Sequence, residues 1–379
     1  MHFDCTFMRI VEVTTRKQLK EFVAFPDRLY RDCPQYVPAL HSDQIRSLTS
    51  CAPLEYCSHR LWLAVDDEGK TLGRICAMIN PRYNELYGKK CCRFGWFDTV
   101  EDFAVAKALV DTASAWAAEN GMKQIHGPLY YNTLGKQGML VEGFENTPQF
   151  NTIYNYPYYP EFLERMGFIK ECDWIQSVVE GVEVPERLMR IADRLKERYK
   201  LRVADVDKLV KDEKKVQAFI QMYSDSFYGS VYNFIPFTES EKKELARESL
   251  SMISDRSSTV IVDEDGEVAA FGIANPSISG ALKKAKGHLF PFGWFYILKA
   301  LYGRNDTMDM LLNGASPKWQ GKGLNALLHC YSSVKFAKAG VRYSISNPQI
   351  ETNSAAKVWE GYDTARPFMR RRCYIKDLD

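Results

Sequence analysis

The sequence predicts a mixed α/β (α+β) protein of two tandem domains, each a mostly antiparallel mixed sheet flanked by helices. The chain has 379 residues, which is more than one compact core usually organises. The same order of strand, turn and helix signals occurs twice, and the second copy adds a glycine-rich turn between a strand and a helix. We therefore expect an N-terminal domain at residues 1–183 and a C-terminal domain at residues 184–379.

The repeat is clearest in two predicted hairpins. Leu61–Pro81 and Thr259–Pro276 each contain two apolar runs, joined by the acidic turns DDEG and DEDG, and each ends in Asn-Pro. Apolar, β-branched runs on both sides of such a turn are typical of β-hairpins. The shared order favours duplication over a chance likeness between ordinary α/β segments.

Helical spacing of apolar residues predicts a second pair of matching elements. Phe103–Asn120 and Leu324–Ala339 both have this spacing, and Gly121 and Gly340 follow them as natural helix C-caps. Between the halves, the apolar stripe of Val184–Lys200 predicts a linking helix. Each half then contains a hairpin, further strands and helices, which fits one sheet with helices on its faces.

Composition and charge exclude several classes of protein. The net charge is +2, so there is no electrostatic reason to expect nucleic acid or an anionic membrane as a partner. The ten cysteines contain no CxxC pair, which favours reduced thiols over a metal site or a disulfide scaffold. The N-terminus lacks the basic and apolar regions of a signal peptide, so we expect a cytoplasmic protein.

One apolar segment has no counterpart in the first half. His288–Tyr302 (HLFPFGWFYILKALY) is too short to span a bilayer comfortably and contains Lys299. It fits either a cover over the binding site of an extended or hydrophobic ligand or a helix packed between domains.

The most specific segment is Met308–Leu328 (MDMLLNGASPKWQGKGLNALL). It begins as an apolar strand, breaks at Pro317 and continues through Gln320-Gly321-Lys322-Gly323 into an amphipathic helix. Glycines let a backbone approach an anion closely, and the start of a helix presents free N–H groups and a positive dipole end. This arrangement favours binding of a diphosphate.

The segment resembles motif A of the GNAT N-acetyltransferases, V-x-P-x-x-[R/Q]-G-x-G-[I/L]-[G/A]. By that resemblance the backbone N–H groups from Gln320 to Asn325 hold the pyrophosphate of coenzyme A, and Leu312–Ala315 pairs with its pantetheine arm. Asn325 departs from the family pattern, which has Gly or Ala there. The matching residues are Ala315, Pro317, Gln320, Gly321, Lys322, Gly323 and Leu324.

A second segment is similar to GNAT motif B. Asn353–Tyr362 (NSAAKVWEGY) matches it at Asn353, which the resemblance places in the cofactor site. The N-terminal half keeps the end of motif B in Glu161–Asp173, but Asp98, Glu101 and Asp102 stand where motif A would need glycines. Carboxylates repel a diphosphate, so only the C-terminal half is expected to bind acyl-CoA.

The resemblance implies direct attack of an amine on a thioester, which needs a base for the amine and an acid for the leaving thiolate. Asp309 and Glu351 are the candidate bases and Tyr362 is the candidate acid, with Tyr374 in reserve. Each of the three also has a structural alternative. Asp309 would be an exposed strand residue, Glu351 a charge at a helix start, and Tyr362 a ring packed in the core.

The function expected from these features is N-acylation, with acetyl-CoA as donor, no metal, and a small-molecule or peptide amine as acceptor. Tyr154, Tyr156 and Tyr158 lie in an aromatic run that would either line the acceptor pocket or pack a domain interface. Two alternatives stay open. One is an aminoacyl transferase of the peptidoglycan-bridge type, and the other is a non-catalytic protein that binds coenzyme A.

Overall fold

The computed structural model describes residues 8–181, 184, 186–228, 231–249, 253–353 and 363–378. Its contacts divide the chain into two compact units. The sequence-based boundary after residue 183 differs from this division, since Ser279–Trp294 and Met369–Asp379 pack with the first unit. The first unit contains Met1–Ile175 and those two segments; the second contains Gln176–Ile278 and Phe295–Phe368.

The later segments join the first unit through contacts between residues far apart in sequence. Lys283 donates from Nζ to the carbonyl of Pro34 and to Thr147, and Ser279 donates to the carbonyl of Pro148 at 2.9 Å. The backbone N–H of His41 donates to a carbonyl of the same segment. Such contacts leave no local pattern in the sequence, so the order of elements alone did not predict them.

The first unit is built on the strand order β1-β2-β3-β4-β5-β14-β7, in which β14 is Ala365–Asp377. In the part of the chain that the structure describes, β4 and β5 pair in parallel, whereas β1–β2, β2–β3, β3–β4, β5–β14 and β6–β14 are antiparallel pairs. Strands β7 and β14 cross the division between the units, after Ile175 and Phe368. The elements up to this point of the chain are β1 (Arg9–Glu12), α1 (Arg16–Leu29), α2 (His41–Thr49), β2 (Ser58–Val65), β3 (Thr71–Ile79), α3 (Pro81–Tyr87), β4 (Cys91–Thr99), α4 (Phe103–Glu119), β5 (Gln124–Gly127), β6 (Met139–Glu142), α5 (Tyr158–Arg165) and β7 (Ile169–Glu180).

The second unit is built on the strand order β7-β12-β11-β10-β9-β8. Here β11 and β12 pair in parallel, whereas β7–β12, β10–β11, β9–β10 and β8–β9 are antiparallel pairs. The remaining elements of the chain are α6 (Glu186–Arg198), β8 (Arg202–Val203), α7 (Val206–Leu209), α8 (Glu213–Phe227), α9 (Glu239–Ser249), β9 (Thr259–Val262), β10 (Val268–Pro276), α10 (Ser279–Ala285), α11 (Gly293–Tyr302), β11 (Thr307–Ala315), α12 (Leu324–Lys338), β12 (Tyr343–Ile345), β13 (Gln349–Ile350) and β14 (Ala365–Asp377).

Both predicted hairpins form, and their turns use the same chemistry. In the β2–β3 turn, Asp66 accepts two backbone N–H bonds through Oδ1, and Gly69 has a φ of +79°. In the β9–β10 turn, Asp263 does the same, and Gly266 has a φ of +85°. A glycine is needed at that position because other residues rarely adopt positive φ.

Three predicted helices form close to their expected positions. The expected linking helix corresponds to α6, and the two matching helices correspond to α4 and α12. Gly121 and Gly340 follow α4 and α12 with φ of +77° and +74°, as expected for helix ends. Among the described residues, no helix combines the length and apolar character needed to cross a membrane.

The acidic residues that replace motif A in the first unit have structural roles. Asp102 caps α4 by accepting the N–H of Ala104 at 2.8 Å, so a carboxylate occupies the start of that helix. Asp98 lies on β4 in a buried ion pair with Arg74, with 2.7 Å between Oδ2 and Nε. Tyr30 donates to the other carboxylate oxygen of Asp98 at 3.0 Å.

We predict that Asp98→Asn lowers the free energy of unfolding by about 3–5 kcal/mol, because it leaves the guanidinium of Arg74 buried without its counter-charge. Urea denaturation measures this change. The matched control is Glu101→Gln, three residues further along the chain at an exposed position, which should change stability by less than about 0.5 kcal/mol. An unchanged urea midpoint for Asp98→Asn would contradict the prediction.

Candidate functional site

The start of α12 in the second unit has no side-chain cap. Gly323 is its N-cap residue, and no side chain accepts a hydrogen bond there. Gly321 and Gly323 have φ of +74° and +80°, a conformation that favours glycine. A Cβ at Gly321 would meet nothing within 4 Å. The helix therefore presents backbone N–H groups and its positive dipole end to an open, exposed loop.

The other loop residues are held by neighbours in the same unit. Gln320 donates from Nε2 to the carbonyl of Ser226 at 3.3 Å. The ammonium of Lys322 lies 4.7 Å from the centre of the Trp319 ring, within reach of a cation–π contact. The next two residues, Leu324 and Asn325, are buried and half-buried. The loop is thus fixed at both ends while its glycines stay exposed.

Strands β11 and β12 part next to this helix. Their parallel pairing covers only Thr307–Asp309 against Tyr343–Ile345. Strand β11 then continues to Ala315, paired along its other edge with β10. In the part of the chain that the structure describes, no strand pairs with the freed edge of β11 after Asp309. The backbone along that edge is extended, and no described strand covers it.

A cleft of ≈ 710 Å³ lies beside the parting strands. Its wall is mostly aliphatic and aromatic. One polar member, Ser332, donates to Thr259 at 3.0 Å. Another, His329, has its pKa lowered to about 4 by burial, so it is neutral at pH 7. The apolar lining residues are Ile273, Ala274, Met310, Leu312, Leu328 and Phe336.

Sequence reasoning predicted part of the stretch of β11 that lines this cleft, because Leu312 and Asn313 fall in the expected range Leu312–Ala315. It missed the polar residues that α12 turns toward the cleft, namely His329, Ser332 and Ser333, which share a face with Phe336. Their spacing of three, four and seven residues is the signal that would have found them. The signal is weak because the surrounding helix is apolar on several sides.

The structure separates the other predicted catalytic and cofactor residues by exposure. Asp309 is 1% exposed on β11, opposite Ile345 on β12 and Asn275 on β10. Glu351 is exposed in the turn after β13, and Asn353 nearby is half-buried. Ala315, at the end of β11, pairs with Ala270.

Tyr362 lies outside the described residues, so its predicted role as acid stays a prediction. The reserve acid, Tyr374, is buried in the first unit, where it donates to Glu164 at 2.9 Å.

The three tyrosines predicted for the acceptor all donate to backbone carbonyls within the first unit. Tyr154 donates to Phe144 at 3.1 Å, and Tyr158 donates to Thr99 at 2.7 Å. The Tyr156 hydroxyl is 3.5 Å from the carbonyl of Leu29. Burial raises the pKa of each phenol, so all three stay protonated at neutral pH. Only Tyr154 also lines a cleft.

That cleft, of ≈ 640 Å³, lies within the first unit and contains Asp98 together with two basic groups, Arg74 and Lys136, that the sequence did not single out. Burial lowers the pKa of Lys136 to about 8, and its Nζ donates to the carbonyl of Thr152 at 3.0 Å. The two basic groups come from separate parts of the chain, which is why no local pattern predicted them.

One group of side chains in the first unit offers ligand atoms for a metal ion. His126, Glu171 and Cys373 place such atoms within 4.8 Å of one another. His126 Nδ1 is 2.9 Å from Glu171 Oε2, and the thiol lies 3.4 Å from the same oxygen. Lys89 also pairs with Glu171 at 3.6 Å, so the carboxylate already has a cation beside it. Hydrogen bonding and this ion pair account for the group without a metal.

Comparison with known proteins gives two relatives by sequence. No protein-family model matches the chain. Protein YghO of Escherichia coli strain K12 is 27% identical over 373 residues, which cover 96% of this chain and 94% of that protein. The bacterial ceramide synthase of Caulobacter vibrioides is 28% identical over 307 residues, which cover 79% of this chain and 78% of that protein.

Comparison with solved structures identifies the fold. The GCN5-related glucosamine N-acetyltransferase region of a fungal multi-domain β-N-acetylglucosaminidase matches with a TM-score of 0.60 and 12% identity, over 99% of this chain and 38% of that longer protein. A tandem GNAT protein from the clavulanic acid biosynthesis pathway matches with a TM-score of 0.57 and 11% identity, over 98% and 99% of the two chains. The predicted tandem GNAT fold is therefore confirmed.

Proposed function

We propose that this protein is an acyl-CoA-dependent N-acyltransferase whose donor site lies in the second unit. The observation that carries the proposal is the uncapped, glycine-flanked start of α12 beside the parting of β11 and β12. The confirmed GNAT fold supports a transferase. The two units differ at the corresponding helix, because Asp102 caps α4 whereas Gly323 leaves α12 open.

The residues present fit an acyl-CoA thioester, which supplies an activated acyl group. The exposed loop at Gly321 and Gly323 suits a pyrophosphate, because its backbone N–H groups are accessible. Both positions have positive φ, which favours glycine, and glycine has no side chain to cover these N–H groups. The freed edge of β11 between Met310 and Ala315 suits the amide groups of a pantetheine arm.

Gly321→Glu should weaken binding of coenzyme A about 100-fold or more, because it places a carboxylate beside the pyrophosphate. Isothermal titration measures the affinity. Gly340→Glu is a matched control: Gly340 has the same φ of +74°, is also open to solvent, and lies at the opposite end of α12. Equal affinities of the two variants for coenzyme A would refute the assignment.

The reaction needs a group that takes a proton from the attacking amine. The amine nitrogen bonds to the thioester carbon, the carbon–sulfur bond breaks, and the amine proton ends on the thiol. Asp309 is our proposed base because it is a buried carboxylate at the point where β11 and β12 part. Glu351 is the alternative, and its exposure beyond β13 makes it the less favoured one.

Asp309→Asn should lower kcat by roughly 10²–10⁴-fold with little change in acyl-CoA affinity, since it removes the base and keeps the shape. The activity assay is acyl transfer to a panel of amines, including a long-chain amino alcohol. Titration with coenzyme A confirms that the variant is folded. Glu351→Gln is the comparison. Full activity of Asp309→Asn together with loss in Glu351→Gln would reassign the base, and full activity of both variants would exclude both carboxylates. Absence of transfer by the unaltered protein would favour a non-catalytic protein.

A second candidate is transfer of a fatty acyl group rather than acetyl. Acetyl-CoA is the donor expected from the GNAT resemblance. The relative that is named a ceramide synthase favours a fatty acyl group, because a ceramide contains an amide-linked fatty acid. The apolar wall of the second-unit cleft, with Met310, Leu312 and Phe336, suits an alkyl chain as well. The acceptor would then be a long-chain amine.

Ser333→Phe separates these donors, because the ring would fill the cleft that an alkyl chain needs. If a fatty acyl group is transferred, kcat/KM for palmitoyl-CoA should fall roughly tenfold or more, and any activity with acetyl-CoA should fall less. Val334→Phe is the control on the same helix, at a position 37% exposed and outside the cleft. Turnover of acetyl-CoA alone by the unaltered protein would exclude the fatty acyl candidate.

A further inference from the structure

The apolar segment His288–Tyr302 is exposed along most of its length. Of the thirteen large hydrophobic side chains that are exposed in the described residues, six lie between positions 290 and 302. Monomeric proteins rarely leave such a concentration open to water without a use for it. The six are Phe290 (79% exposed), Phe292 (66%), Trp294 (44%), Phe295 (50%), Leu298 (45%) and Tyr302 (62%).

The local backbone explains why these rings point outward. The turn before α11 folds back on the helix start, where the N–H of Trp294 donates to the carbonyl of Leu289 at 2.9 Å. Gly293 is so close to His288 that a Cβ would lie 2.0 Å from its carbonyl oxygen. The indole N–H also donates to the carbonyl of Pro291 at 2.9 Å. The turn therefore satisfies polar groups of its own backbone and of the indole, while its rings stay exposed.

The helix itself has an apolar stripe. Phe295, Leu298 and Tyr302 recur at intervals of three and four residues, which places them on one face of α11. The helix has ten residues and is far too short to cross a bilayer. Exposed aromatic rings on a short helix are typical of segments that lie in the plane of a membrane surface.

The segment and the chain on either side of it are basic. Residues 268–305 contain no Asp or Glu, and four basic side chains in that range are exposed. Two carboxylates lie close by: Asp27 is beside Gly287, and the exposed Asp306 follows the range. A self-association through this surface would bring these cations against their own copies, which is unfavourable. An anionic lipid surface complements them, and each basic residue near such a surface strengthens binding about fivefold. The four are Lys284, Lys286, Lys299 and Arg304.

We propose that His288–Tyr302 docks this protein onto an anionic lipid surface. The aromatic side chains enter the headgroup region, and the basic residues add attraction to anionic lipids. This inference goes beyond the acyl transfer proposed above and does not depend on it. It also revises the expectation drawn from the net charge, because a balanced total hides a local excess of cations.

Flotation of the full chain with phosphatidylcholine vesicles, with and without phosphatidylglycerol, tests the proposal. The protein should float with the anionic vesicles, and less so as salt is raised. Phe292→Ser should weaken this binding at least about fivefold. Ile169→Ser is the control, because Ile169 is 68% exposed and lies outside the segment. Fluorescence of Trp294 should shift to the blue on binding, and the shift should be lost in Trp294→Phe.

A charge pair completes the test. Lys284→Glu with Lys286→Glu should weaken binding to anionic vesicles about tenfold or more, whereas Lys211→Glu with Lys214→Glu, at two exposed lysines elsewhere, should not. Failure of the unaltered protein to float, or equal flotation of Phe292→Ser, overturns the proposal. The proposal is also overturned if sedimentation shows that the unaltered protein is a dimer and that Phe292→Ser is a monomer. Coenzyme A binding, measured on the same samples, separates this outcome from a failure of the acyltransferase proposal.

Discussion

The arrangement of the candidate donor site depends on the early end of one strand. Strand β12 stops at Ile345, while β11 runs on to Ala315. Strand β10 holds the opposite edge of β11 throughout, so the longer strand stays extended after its parallel neighbour has gone. The cleft lies beside that parting, and the glycines before α12 leave the start of the helix open. Backbone groups left without a strand partner are costly to bury, so the site suits an extended polar ligand.

The two units show how one architecture carries different chemistry. Both have a hairpin with the same turn and a long helix that ends before a glycine. In the first unit a carboxylate, Asp102, satisfies the helix start, and Asp98 is committed to an ion pair with Arg74. In the second unit two glycines keep the helix start open. The proposed difference in cofactor binding between the units therefore rests on the few residues at a helix start rather than on the fold.

The apolar cleft and the exposed aromatic segment are separate features that both suit lipid chemistry. If the proposed donor is a fatty acyl group, docking on a membrane surface would bring the protein close to substrates that are poorly soluble in water. The cations near α11 provide attraction to such a surface that the net charge of the chain does not reveal. Each of these features rests on different residues and is open to separate testing.

The sequence by itself determined the hairpins, the long helices and the glycine loop, because turn chemistry and helical periodicity act over a few neighbouring residues. It also placed Gly321 and Gly323 correctly between a strand and a helix. Only the tertiary structure decided that Met369–Asp379 belongs with the first unit, that Asp309 is buried, and that Ser333 lines the cleft. These outcomes depend on pairing and packing between residues far apart in the chain, and such contacts leave no local signal.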